Sequence, residues 1–154
     1  MREYRPLQQS DLSALCALET QCFEDAWSSS LLERQLAAPR TLNFACIENG
    51  QLCGFIFWSY VCDEAELLRV AVAPAARGQG LATELIGRSQ QYLTQGNISQ
   101  AFLEVRASNS RALSVYARCG YVQTGRRKGY YRSTASEPAE DALLLSCTLG
   151  VESV

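Results

Sequence analysis

The sequence predicts an α/β fold of the α+β kind, a single mixed central β-sheet of six to seven strands flanked by four helices. Three observations predict it. Short apolar and aromatic runs bounded by turn residues recur along the chain, as strands do. Segments with apolar residues three and four apart stand between them, as helices do. The two kinds follow in the order strand, two helices, three strands, helix, strand, helix, two strands, which suits one sheet covered by helices. At 154 residues the chain fits one domain, residues 1–154, able to bury a core without disulfides or metals.

Residues 2–7 read as a first strand ending near Pro6. Ser10 is placed to cap a helix through DLSALCALETQCF, where Leu12, Leu15, Cys16 and Glu19 recur at helical spacing. A second helix, SSLLERQLAA, follows Trp27 and a serine cluster; Ser30 and Glu33 stand at capping-box spacing, and Pro39 marks the exit. LNFACIE and QLCGFIFWSYV are strands joined by Asn49-Gly50, the strongest short hairpin signal. Beyond the acidic connector Asp63-Glu64 comes AELLRVAV, stopped by Pro74. The loop AARGQG opens LATELIGRSQQYLTQ, whose Leu81, Leu85, Ile86 and Leu93 form a stripe ending at Gly96. QAFLEVR is the next strand, and a helix over residues 110–119 is closed by Gly120. YVQTGRRKGYY and DALLLSCTL are two last strands around a polar connection containing Pro138. The two strand-helix-strand passages are expected to be right-handed crossovers.

Composition narrows the function. With 47% hydrophobic and 19% charged residues and a net charge of −2, the chain has neither the profile of a disordered segment nor the basic excess expected of a surface that binds nucleic-acid phosphates. A basic protein partner remains compatible with it. No apolar run reaches transmembrane length, and MREYRPLQQSD is too polar for a signal peptide. The seven cysteines, 16, 22, 46, 53, 62, 119 and 147, are odd in number and lack C-x-x-C spacing, which argues against a disulfide framework and against a metal site. A reduced, cytoplasmic protein is expected. There is no histidine, so acid/base chemistry near neutral pH falls to carboxylates, tyrosines, cysteines or the single lysine.

Two stretches can carry chemistry. In residues 77–82, Arg-Gly-Gln-Gly-Leu-Ala, a strand passes through glycines into a helix whose first N–H groups lack helical partners, an arrangement that accepts phosphate oxygens. The same residues equally describe a glycine turn with a surface arginine. In LEVRASNSRALSVY, strand alternation places Phe102, Glu104 and Arg106 on one face and Ala101, Leu103 and Val105 on the other. Only the second face is uniformly apolar, so Glu104 faces solvent or a site; an arginine-paired strand glutamate is the plain alternative. Tyr116 is a core tyrosine or a phenolic proton donor, and Asn109 a helix cap or a ligand contact.

VAVAPAARGQGLATELI resembles the acetyl-CoA motif of the GNAT superfamily of N-acetyltransferases, an Arg/Gln-x-x-Gly-x-Gly/Ala signature matched by Arg77, Gly80 and Ala82. LEVRASNSRALSVYARCGY resembles the motif that follows it, and the series of elements covers essentially the whole chain. Within the superfamily, LNF, DEAELLRVAV, LEVRASN, GRRKGYY and EDALLLS are similar to the bacterial ribosomal-protein alanine N-acetyltransferases. The resemblance implies the GNAT fold and acetyl-CoA as co-substrate without a metal. It implies cofactor contacts from Val70, Ala71, Val72, Arg77, Gly78, Gln79, Gly80, Leu81, Ala82, Thr83 and Asn109. It implies Glu104 as general base and Tyr116 as general acid. The acceptor it implies is the N-terminal alanine of protein eighteen of the small ribosomal subunit, with no direct contact to nucleic acid or membrane.

An N-terminal amine suits a chain without histidine. Its reference pKa of about 7.7–8.0, against about 10.4 for lysine, leaves a sizeable neutral fraction near pH 7. The acceptor described for the family, alanine followed by basic and aromatic residues, would suit a groove with Glu24, Asp25, Asp63 or Glu64 and walls from Trp27 and Tyr130 or Tyr131; equally, these are solvated charges and packed rims. A GNAT enzyme for another amine (lysine, aminoacyl-tRNA or a small molecule) and a non-catalytic acetyl-CoA-binding module are the competing readings.

Overall fold

In the computed structural model, which describes residues 1–131, 133 and 138–150, seven strands form one mixed sheet. They are β1 (Arg2–Pro6), β2 (Thr41–Glu48), β3 (Gln51–Val61), β4 (Glu64–Val72), β5 (Gln100–Arg106), β6 (Val122–Tyr131) and β7 (Glu140–Thr148). The α-helices among the described residues are α1 (Leu12–Cys22), α2 (Ser29–Ala37), α3 (Leu81–Gln95) and α4 (Ser110–Arg118). Strand order is β1-β2-β3-β4-β5-β7-β6, with every neighbouring pair antiparallel except β4 and β5. The polar connection expected around Pro138 lies for the most part outside the described residues. Among those described, no helix is long and apolar enough to cross a membrane.

Local chemistry explains the boundaries, with two corrections. Asn49 and Gly50 both take positive φ, 52° and 78°, as a two-residue turn between right-twisted strands requires. Residues 62–63 make a second tight turn between β3 and β4, with Cys62 at φ 54°, where only a connector was anticipated. Ser28, not Ser30, caps α2: its Oγ accepts the N–H of Leu31 at 3.2 Å, so the helix starts two residues earlier than the capping-box spacing indicated. Ser10 does not cap α1. It lies inside a 3-10 turn, Gln9–Asp11, and Asp11 takes the local role by accepting the Gln8 N–H at 2.7 Å and the Arg5 guanidinium at 2.8 and 3.0 Å.

The core forms on both faces of the sheet. Alternation along β3 sends Ile56 and Trp58 toward α3 and α4, and Phe55 and Phe57 toward α1 and α2. A strand buried on both sides reads as a continuous apolar run, which is why QLCGFIFWSYV shows little alternation. Gly54 is needed for close approach: an added Cβ would lie 3.1 Å from both the Ala71 carbonyl and a Leu85 methyl. The polar member of the α3 stripe, Ser89, is fully buried and accepts the indole N–H of Trp58 at 2.9 Å.

The parallel junction of β4 and β5 positions the site. The two strands pair only over Glu64, Ala65 and Glu66, against Gln100, Ala101 and Phe102. Beyond that point they part: β5 continues its ladder with β7 through Arg106, while β4 stays on β3 through Val72. The β5-facing edge of residues 70–72 is therefore left without a neighbouring strand, and the sheet opens as a V.

Candidate active site

A cleft of about 730 Å³ occupies the opening of this V. One wall is β4, through Val70, Ala71 and Val72; the floor is the turn into α3, through Ala76, Arg77, Gly78, Gly80, Leu81, Ala82 and Thr83. The far wall is α4, through Asn109, Arg111, Ala112, Val115, Tyr116 and Arg118. Cys22 and Phe23, where α1 ends, close the side opposite α3 and α4.

The floor has the geometry of an anion cradle. Gly78 and Gly80 stand at φ +81° and +79°, with nothing within 4 Å of an added Cβ, so glycine is required for backbone conformation and not for room. Glu84 is the first residue of α3 to bond back, its N–H reaching Gly80 O at 3.1 Å; the N–H groups of residues 81–83 precede that bond and have no helical acceptor. They form the positive end of a 15-residue helix facing the cleft. Arg77 folds back, its Nε donating to Val72 O at 3.0 Å, and so fixes the turn to the end of β4.

The residues expected from sequence are mostly brought together. Val70, Ala71, Val72, Arg77, Gly78, Gly80, Leu81, Ala82, Thr83, Asn109 and Tyr116 all line the one cleft. Gln79 does not; it borders a smaller adjoining recess with Arg2, Tyr4, Arg88 and Arg118, and its side chain accepts from Arg2. Asn109 caps α4, its Oδ1 accepting the Ala112 N–H at 3.2 Å, and it also lines the cleft.

Glu104 and Tyr116 lie on opposite faces of the sheet. Leu103 and Val105 point into the core that holds Tyr116, and Glu104, on the alternate face, is only half-buried and pairs with Arg127 at 3.2 Å. Glu104 itself is not part of the cleft lining. Tyr116 is 7% exposed, and burial, helped by the nearby Cys119 thiol, pushes its hydroxyl up to about 12. It is therefore a neutral O–H donor throughout the physiological range. Burial likewise raises the Cys119 thiol at the end of α4.

Of the acceptor-groove residues considered, Trp27 stacks on Phe57 at 5.6 Å, and Glu24 and Asp25 are exposed between α1 and α2. Asp63 and Glu64 lie instead at the closed end of the β4–β5 junction, where Asp63 accepts from Ser99 and Gln100. Tyr130 and Tyr131 pack against Arg127 and Arg106 at 5.2 and 4.0 Å. Sequence reasoning missed Cys22, Phe23, Ala76, Arg111, Ala112, Val115 and Arg118. Arg111 and Arg118 stand seven apart on the helix that carries Asn109, a spacing that places them on one face. Cys22 and Phe23 had no local signal.

A mixed sheet split between a parallel pair, with a glycine-bearing helix start beneath the split, agrees with the GNAT fold that the sequence resemblance implies. The sequence profile of the acetyltransferase (GNAT) family matches residues 12–121, and the chain belongs to that family; it is an acyltransferase. It is 30% identical over 151 residues, 98% of this chain and 100% of the relative, to the [ribosomal protein bS18]-alanine N-acetyltransferase of Escherichia coli. It is 33% identical over 143 residues, 93% and 96% of the two chains, to the enzyme of the same name from Haemophilus influenzae. The crystal structure of the ribosomal-protein-S18-alanine N-acetyltransferase from Escherichia coli superposes with a TM-score of 0.89 at 29% identity, over 99% of this chain and 97% of that one.

Proposed function

We propose that the protein transfers the acetyl group of acetyl-CoA to a protein N-terminal amine, with the N-terminal alanine of ribosomal protein S18 as the acceptor. The observation that carries the acceptor assignment is the similarity to the Escherichia coli alanine N-acetyltransferase, which spans 98% of this chain and all of the relative. The cleft fits acetyl-CoA on its own terms. It joins a row of unbonded N–H groups at residues 81–83, suited to a pyrophosphate, to an open β4 edge at residues 70–72, suited to the amide-bearing pantetheine arm.

Each reacting group then meets a residue on its own side of the sheet. Glu104, on the α1/α2 face, takes a proton from the incoming ammonium, directly or through water, so that the neutral amine attacks the thioester carbonyl. Backbone N–H groups near Val72 stabilise the oxygen as its charge develops. Tyr116, on the α3/α4 face, donates its proton to the departing thiolate. Its raised pKa keeps the phenol protonated, so the O–H is available to donate at neutral pH.

The test is incubation with acetyl-CoA and a peptide carrying the first residues of S18, with the product mapped by fragmentation mass spectrometry. Acetylation of the alanine amine is expected. Equal acetylation of an internal lysine in an N-blocked peptide would overturn the N-terminal assignment, and acetyl-CoA binding without any transfer would overturn the enzymatic role.

A further inference from the structure

Glu19 has 0% exposure, an unusual condition for a carboxylate, and the reaction described above does not use it. Its Oε1 accepts Arg69 Nε and its Oε2 accepts Arg69 Nη2, both at 2.8 Å, a two-bond fork. Oε2 also accepts the backbone N–H of Trp27 at 2.7 Å. Arg69 belongs to β4, immediately before the residues that line the cleft. Its guanidinium stands 3.6 Å from the Phe23 ring centroid and 5.2 Å from that of Trp27, and it donates to the Asp25 carbonyl at 3.4 Å. Three residues of segment 23–27, Phe23, Asp25 and Trp27, are thus bound to a single β4 side chain.

Stability is a poor reason for such a pair. Desolvating two charges offsets most of their attraction, and apolar side chains of similar volume usually pack as well. What a planar, bidentate pair adds is a defined orientation. The oriented segment begins with Cys22 and Phe23, the part of the cleft wall on the sheet face opposite α3 and α4, and the Cys22 thiol donates to Val72 O at 3.5 Å.

We propose that Glu19 and Arg69 are positioning residues for acyl transfer, holding Cys22 and Phe23 against β4 as the acceptor-side wall of the cleft. The proposal rests on the N-acetyltransferase reading. The pair touches neither substrate; it sets where the acceptor amine arrives relative to the thioester, and leaves the nucleotide end of the cleft, at the start of α3 and along α4, untouched.

The test compares the wild type with the neutral double variant Glu19→Gln/Arg69→Met and with Arg69→Lys, which keeps the charge but loses the fork. Three quantities are read: acceptor KM with the alanine-initiated peptide, the acetyl-CoA Kd by calorimetry, and the alkylation rate of Cys22 by iodoacetamide, resolved from the other thiols by peptide mapping. In variants that melt cooperatively, Cys22 alkylation and acceptor KM are each expected to rise about tenfold, with acetyl-CoA Kd unchanged within twofold. Unchanged alkylation and KM in a folded variant would reduce the pair to a structural tie and overturn the proposal. An equal rise in acceptor KM and acetyl-CoA Kd would overturn the acceptor-side assignment. If the double variant does not fold, Arg69→Lys decides by the same readings. If the wild type transfers nothing to the peptide, the proposed function fails, and the alkylation rates separately decide whether the pair holds the wall.

Discussion

Glu104 Oε1 and Arg127 Nη2 stand 3.2 Å apart, joining β5 to β6 over the intervening β7. The register explains how they meet. Glu104 and Gly125 both flank Leu144, while Arg106 and Arg127 both flank Ala142, so all six positions share a face and Arg127 reaches one row diagonally. With side-chain exposures of 26% for Glu104 and 53% for Arg127, the pair is a surface one, of a kind that contributes roughly 0–1 kcal/mol.

Removing the Glu104 charge should therefore cost little stability, and any large loss of rate is chemical. Glu104→Gln is expected to melt within a few degrees of wild type while kcat/KM falls about 10²-fold or more. The deficit should be greatest at low pH and shrink as the acceptor amine deprotonates near its reference pKa of about 7.7–8.0. A pH-independent deficit would remove the base assignment.

Tyr116→Phe keeps the ring and removes only the proton donor. Acetyl-CoA Kd should be unchanged, and single-turnover acetyl transfer should slow about 10²-fold. An unchanged single-turnover rate would transfer the acid role to another group.

The same residue makes a prediction about alkaline stability. Its folded pKa, about 12, lies above the reference value of 10.0, so the folded state holds its proton more tightly and stability is lost as pH rises from the unfolded value through the folded one. Between pH 10 and 12 wild type should lose on the order of 2 kcal/mol that Tyr116→Phe retains. Denaturant melts of both proteins at pH 9 and pH 11.5 measure the difference directly; parallel behaviour would mean that the hydroxyl is not held neutral by burial.

Two glycines of the α3 region should respond with opposite signs. Gly80 is at φ +79°, so Gly80→Ala should cost about 1–2 kcal/mol and weaken acetyl-CoA binding by misdirecting the N–H groups of residues 81–83. Gly87 is exposed inside α3, with nothing within 4 Å of an added Cβ, so Gly87→Ala should stabilise by about 1 kcal/mol and leave binding alone. Thermal melts and calorimetric titration of the two variants check both halves.

Local signals in the sequence reached far along this chain because its elements are locally consistent. The α3 stripe Leu81, Leu85, Ile86, Leu93 is buried as its spacing indicated, Asn49-Gly50 turns between β2 and β3, and the alternation of QAFLEVR appears residue by residue in the burial of β5. The cap of α2 was misplaced because serines in a cluster compete for one position, and only the packed backbone selects Ser28; that of α1 was misplaced because a 3-10 turn precedes the helix and takes in Ser10. The Glu19–Arg69 pair left a trace in sequence, a glutamate on the apolar stripe of α1 and an arginine within AELLRVAV, but they lie 50 residues apart and no pattern joins them.

Periodicity, turn chemistry and two motif stretches were enough to determine the elements, their order, the family and which residues stand at the start of α3. Those properties depend on neighbours within a turn or two of the chain, where steric and hydrogen-bond preferences act. Tertiary structure alone decided that β4 and β5 part after three residue pairs, that Glu104 and Tyr116 face opposite sides of that opening, and that Cys22 and Phe23 close it. Each of these depends on strand pairing and side-chain packing between segments far apart in sequence, and such contacts exist only once the sheet has formed.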